Sequence, residues 1–100
     1  MTYNFKRHKT CTTFPGLQFE VVINGVPKDL TGVILHMHIA GVLFGSHTGE
    51  FIINDPVNGR FQFKEQMITL APGKYDYEIE FIFPNGVVKK YISGYWQIIK

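Results

Sequence analysis

The sequence has one cysteine in 100 residues, Cys11, so no disulfide can close within the chain. The fold has to hold by packing, which suits a reducing compartment. Charge is also scarce: 18% of residues are charged, and 10 Lys+Arg against 8 Asp+Glu leave a net charge of +2. A general nucleic-acid binder concentrates a basic stripe. Here the one basic run, Lys6-Arg7-His8-Lys9, and the distant pair Lys89-Lys90 read as solvated strand ends, and no nucleic-acid partner is expected. Long apolar runs are missing. The longest apolar region, Val33 to Phe44, is interrupted by His36 and His38 and is too short to span a bilayer. The opening MTYNFKRHKT has no apolar signal-peptide stretch. These absences lead us to expect a soluble protein with no membrane partner and no export signal of its own. No GxGxxG or P-loop pattern supports a nucleotide, and no cofactor is expected.

What is present is a globular composition, 45% apolar and 15% aromatic, in a length that suits one domain over residues 1–100. No segment keeps a helical period for three turns, whereas apolar and polar residues alternate almost everywhere. Strands are expected at Tyr3 to His8, Leu17 to Asn24, Val33 to Ile39, Phe51 to Ile53, Arg60 to Lys64, Tyr75 to Phe83, Val87 to Ile92 and Tyr95 to Ile99. In Tyr75 to Phe83 the face Tyr75, Tyr77, Ile79, Phe81, Phe83 alternates with Asp76, Glu78, Glu80, Ile82. Asn24-Gly25, Asn58-Gly59 and Asn85-Gly86 supply residues that tolerate the positive φ of tight turns. Lys64 to Ala71 is the one place where a helical turn between sheets is expected. This pattern predicts an all-β fold, an antiparallel sandwich of about seven or eight strands. A two-residue Asn85-Gly86 turn would pair Phe83 with Val88, Ile79 with Ile92 and Tyr75 with Trp96. It would also put Lys90 opposite Phe81 on the core face, unless Lys90 snorkels at an edge or a bulge near Ser93-Gly94 shifts the register.

Few residues offer chemistry. His36 and His38 stand at i, i+2 on one strand face, a spacing that can place two imidazoles on a metal. Two donors make a weak site, and no carboxylate or thiol is close in sequence to complete it. His8 or His47 could join only through the fold. The pair is read as solvent-facing or interface histidines, so no metal ligand is assigned. Asp76, Glu78 and Glu80 share a strand face, but catalytic carboxylates need a cleft and pKa values pushed apart. They read as a solvated face balanced by cross-strand partners such as Lys89. Cys11, in Thr10-Cys11-Thr12-Thr13, has no histidine fixed at a nucleophile's distance and reads as a half-buried structural thiol. No catalytic or cofactor-binding residue is assigned, and no enzyme is expected.

Two stretches are more specific. One is Asn24-Gly25-Val26-Pro27-Lys28-Asp29-Leu30-Thr31-Gly32, followed at once by Val33 to His38. The other is Leu70-Ala71-Pro72-Gly73-Lys74-Tyr75-Asp76-Tyr77-Glu78-Ile79, leading through Pro84-Asn85-Gly86 to Ser93-Gly94-Tyr95-Trp96-Gln97-Ile98. Together, from about Thr13 to Ile99, they resemble the small immunoglobulin-like (Ig-like) β-sandwich domains of tailed-phage and prophage structural proteins. That group includes the N-terminal domains of upper baseplate and tail-fibre adaptor proteins. Asp29 and Thr31 can bond the local backbone, Leu30 can plug the core, and Gly32 allows a conformation that a Cβ would oppose. Gly73-x-Tyr75-x-Tyr77 resembles the corner before strand F of an immunoglobulin fold, where a tyrosine hydroxyl ties back to the backbone. Tyr77 would then stand where antibody domains carry a cysteine.

The resemblance implies a non-enzymatic structural or assembly protein of a phage or prophage particle, in the tail, baseplate or fibre attachment. It would act through protein–protein contacts with other virion proteins, as a virion component made in the host cytoplasm. Ending at Lys100, it is expected to be an isolated module without a fibre or receptor-binding domain. The alternative is a carbohydrate- or surface-binding Ig-like module, which needs exposed, coplanar aromatics such as Tyr3, Phe44, Tyr91 and Tyr95. Val22, Ile34, Ile82 and Ile99 lie on the polar sides of their strands, and a homo-oligomer is expected from them, the alternative being that the Gly41–Gly49 loop and the N-terminal strand cover both sheet faces within the monomer.

Overall fold

Alternation of apolar and polar side chains sets the central strands, as seen in the computed structural model, which describes residues 1–100. The strands are β1 (His8–Lys9), β2 (Thr12–Phe14), β3 (Leu17–Glu20), β4 (Val22–Ile23), β5 (Val26–Pro27) and β6 (Ile34–Ile39). They continue as β7 (Val42–Gly45), β8 (Phe51–Asp55), β9 (Arg60–Phe63), β10 (Gln66–Ile68), β11 (Gly73–Ile82) and β12 (Val88–Ile99). The only helical element is the single 3₁₀ turn Pro56–Asn58 between β8 and β9. No helix is long and apolar enough to cross a membrane.

Two layers form the body: a five-stranded sheet in the order β1-β12-β11-β6-β7 and a three-stranded sheet in the order β3-β9-β8. The two layers together hold eight of the twelve strands. Two short ribbons, β2–β10 and β4–β5, complete the structure. Every pairing is antiparallel except that of β1 with β12. In immunoglobulin lettering β3, β9 and β8 stand as B, E and D. The other layer, β12, β11, β6 and β7, stands as G, F, C and C′, with β1 alongside G. The fold is therefore an all-β sandwich with immunoglobulin strand order.

Aromatic rings join the layers. Phe61 of β9 meets Phe81 of β11 edge-on at 5.6 Å, and Phe63 meets Trp96 at 6.1 Å. Phe5 stacks on Trp96 with centroids 4.4 Å apart. Each such ring, fully buried, is worth roughly 1.5–3 kcal/mol, so this packing replaces the absent disulfide. No charged or polar residue is buried with them. The tyrosine corner forms at Tyr75, whose hydroxyl donates to the Ala71 carbonyl at 2.7 Å. Tyr77 is buried two residues on and donates to the Tyr3 carbonyl. Burial, and then the neighbouring Tyr3, pushes its phenol pKa well up.

The Asp29-Leu30-Thr31-Gly32 turn has the roles its residues suggest. Thr31 donates both its N–H and its hydroxyl to Asp29 Oδ1, at 2.9 and 2.6 Å. Leu30 is fully buried, and Gly32 has φ +75 with Pro84 packed where a Cβ would go.

Several expectations are corrected. The segment Tyr3 to His8 is not a regular strand. It follows β12 in parallel, with Tyr3 N–H donating to Ser93 O and Phe5 N–H to Tyr95 O, and only His8–Lys9 forms ladder. The strand expected at Leu17 to Asn24 breaks at Val21, whose N–H and C=O turn to Gly59 and Lys28, and Ile23 ends exposed. Lys64 to Ala71 holds no helical turn; Gln66–Ile68 pairs instead with the unanticipated strand Thr12–Phe14. Val42–Gly45, expected as loop, forms the edge strand β7. Its turn uses Ala40 and Gly41 at φ 52 and 74, and Ala40 lacks the Asn/Gly signature of such turns. The two strands expected at Val87 to Ile92 and Tyr95 to Ile99 are one, β12, which starts at Val88 and runs through Ser93-Gly94. Cys11 is exposed rather than half-buried, at φ 59 in the turn between β1 and β2.

The last hairpin deviates twice, and the deviations cancel. The loop has three residues, Pro84–Gly86, with Gly86 at φ +87 and Phe83 bonded to Val87. That shifts the register by one, so Phe81 faces Lys89 and Ile82 faces Val88. A bulge then sets Lys90 and Tyr91 against Glu80 alone and restores Ile79↔Ile92 and Tyr75↔Trp96. The bulge lies at Lys90–Tyr91, not near Ser93-Gly94, and it carries Lys90 out of the core to Glu78 Oε2 at 2.9 Å.

Candidate functional site

The outward face of the five-stranded sheet gathers most of the side chains singled out from the sequence. Residues of β11 at even positions point away from the core, and register carries that face across β6, β7 and β12. Ile82 is the partner of both Ile34 on β6 and Val88 on β12, so three aliphatic side chains lie in a row. The next row holds Glu80, His36 and Gly45, and the one after it Glu78, His38 and Leu43. Ile34, Leu43 and Val88 are 42%, 45% and 49% exposed. Val22 stands apart on the β4–β5 hairpin with the exposed Ile23 and Val26, and Ile99 closes β12. The four aliphatic residues expected on polar faces thus do not form one patch. Ile34 and Ile82 do, with Val88 as the member that alternation did not single out.

Two of the three acids on β11, Glu78 and Glu80, are paired. Lys90 takes Glu78, rather than the expected Lys89, and the bonded Glu78 carboxylate raises the Lys90 pKa. His38 Nε2 lies 2.9 Å from Glu80 Oε1. Asp76 sits in an open depression of about 810 Å³ lined also by Asn4, Glu78, Lys90 and Tyr95. Strand pairing also brings Glu80 to the two histidines: the donor atoms of His36, His38 and Glu80 lie within 4.8 Å of one another. His47, from the loop after β7, faces His36 with ring centroids 5.1 Å apart. Sequence spacing could not show this, because Glu80 lies 42 residues from His38.

The other candidates stay apart from this face. His8 bonds Thr12 through Nε2, to its carbonyl at 3.0 Å and its hydroxyl at 3.1 Å, and is not presented to Cys11 as a base. Among the aromatics weighed for a glycan platform, Tyr3, Phe44 and Tyr91 pack against the core, and Tyr95 lies under Lys74 Nζ at 4.1 Å. Both edges of the five-stranded sheet are built by segments that leave its face open: β1 beyond β12, and β7 beyond β6. At β7 the groups of Gly45 that point outward are taken by Glu50, through the Glu50 N–H at 3.1 Å and the Glu50 carboxylate at 3.2 Å.

No protein-family model, curated protein or solved structure matches the chain.

Proposed function

We propose that this Ig-like sandwich is a non-enzymatic assembly module that works through protein–protein contacts, beginning with copies of itself. The observation that carries this reading is the aliphatic row Ile34–Ile82–Val88, which crosses three adjacent strands on an open sheet face, with Leu43 exposed on the same face. Isolated exposed aliphatic residues are ordinary on any surface. A contiguous row on a sheet face loses its contact with water when a second surface covers it, a gain of about 25 cal/mol per Å² of apolar area. The Lys90–Glu78 ion pair and the His38–Glu80 hydrogen bond beside it supply the polar rim such contacts carry. Assignment to a tailed-phage or prophage particle, in tail, baseplate or fibre attachment, rests on the resemblance of the Asn24–Gly32 and Leu70–Ile98 stretches.

Sedimentation velocity across a wide concentration range tests the contact surface. Concentration-dependent association that is lost when Ile34→Lys and Ile82→Lys are combined supports it. A strictly monomeric species at the highest soluble concentration, with the variant sedimenting identically, would leave the row without this role.

A further inference from the structure

We propose that His36, His38 and Glu80, with His47 as a fourth donor, form a site for a divalent transition-metal ion of the zinc type on the outward face of the five-stranded sheet. The sequence offered two histidines and no third donor; β11 supplies one. Glu80 is the direct register partner of His36 and the diagonal neighbour of His38. Side chains in such positions project in the same direction from Cβ atoms only about 5–8 Å apart. The three donor atoms already lie within 4.8 Å of one another. With metal–nitrogen and metal–oxygen bonds of about 2.0–2.2 Å, tetrahedral ligands stand roughly 3.3–3.5 Å apart. Small χ rotations on a rigid two-strand platform close that gap. Two imidazoles and a carboxylate are a donor set zinc takes readily, and imidazole sets the site apart from the all-oxygen sites of calcium and magnesium.

A second observation points the same way. Gly45 is the β7 register partner of His36. A Cβ there would stand 3.0 Å from Cε1 and 3.1 Å from Nδ1 of His47. The backbone of Gly45 does not need positive φ, so its conformation does not demand glycine. What the missing side chain provides is room for the His47 imidazole to lie across β7 toward His36. Lys90 forms its ion pair with Glu78 at 2.9 Å, whereas the polar partner of Glu80 Oε1 is His38 Nε2 at 2.9 Å. The arrangement is three strands deep: β11 brings the carboxylate, β6 two imidazoles, and the bare position on β7 admits the third.

The test is zinc binding by the intact chain, read by calorimetry and by thermal melting. We expect one zinc per chain. Free zinc at about ten times the dissociation constant should raise the melting temperature by roughly 5–10 °C, while magnesium and calcium should produce no shift. The His36→Ala/His38→Ala double variant should lose the zinc response, with its metal-free melt and β-type circular dichroism showing that it still folds. Glu80→Gln and Gly45→Ala should each weaken zinc binding about tenfold or more, the second without removing any donor. His8→Ala serves as the control and should bind as the parent does. Absence of a zinc-dependent shift in the parent, or a shift retained in the double variant, overturns the site. Parent-like affinity in Gly45→Ala removes His47 from it. The site does not depend on self-association: a monomer that binds zinc, or an oligomer that does not, separates the two readings.

Discussion

Gly94→Ala would test how the N-terminal segment is held. Gly94 lies in β12 where Tyr3 and Asn4 run alongside; a Cβ on it would be 2.0 Å from the Tyr3 carbonyl oxygen and 2.8 Å from Asn4 Oδ1. Its φ lies outside the left-handed region, so alanine meets a steric obstacle and not a conformational one. Carbon–oxygen contacts settle near 3.3 Å, so the segment must retreat by about 1.3 Å. Bonds that start at 2.9 Å (Tyr3 N–H to Ser93 O), 3.1 Å (Phe5 N–H to Tyr95 O) and 3.1 Å (Ser93 N–H to Met1 O) do not survive that displacement. At about 1 kcal/mol each the three bonds contribute about 3 kcal/mol. Partial release of Phe5 from Trp96 brings the expected loss to roughly 3–5 kcal/mol. In urea unfolding that is a large share of an ordinary domain's stability, and in a melt it is roughly 12–24 °C for the bonds alone. Phe5→Ala should cost about 3–5 kcal/mol, and the double variant should fall well short of the sum, because both changes free the same segment. A loss below about 1 kcal/mol, or additive losses, would refute the close parallel docking of residues 1–5 on β12.

Ala40→Asn should raise the urea midpoint, by roughly 0.5–1 kcal/mol in stability, because Ala40 holds φ 52 where asparagine is far better tolerated; an unchanged midpoint would mean the β6–β7 turn is not strained. Hydrogen bonds from the Thr31 hydroxyl and then its N–H hold the Asp29 carboxyl below its usual pKa of 3.8. The stability this gives is present above that value and lost as pH falls through the lowered one. Melting temperatures followed through that acid range should therefore decline less steeply in Asp29→Asn than in the parent, and equal slopes would remove the turn's pH dependence.

Strand existence, core face and turn locations were legible in the residues because a pleated strand repeats every two positions and positive φ selects Asn and Gly. Thus Leu35, Met37, Ile39, Tyr77, Ile79 and Phe81 were readable as core, and each is buried. Strand β7 was not readable, because its turn uses an alanine and its four residues show no alternation. Likewise Thr12–Phe14 and Gln66–Ile68 are too short for a pattern and exist because they pair with each other. The bulge at Lys90–Tyr91 could not be located either: a loop one residue longer than expected and a one-residue bulge leave the distant register unchanged.

What the sequence determined by itself is therefore the local part: strands, tight turns, an aromatic core without a disulfide, and two histidines on one face. Only the tertiary structure decided which strands became neighbours, since lateral pairing depends on hydrogen bonds and packing between segments far apart in the chain. That pairing put Glu80 opposite His36 and diagonal to His38, set His47 over the bare backbone of Gly45, and aligned Ile34, Ile82 and Val88 into one row.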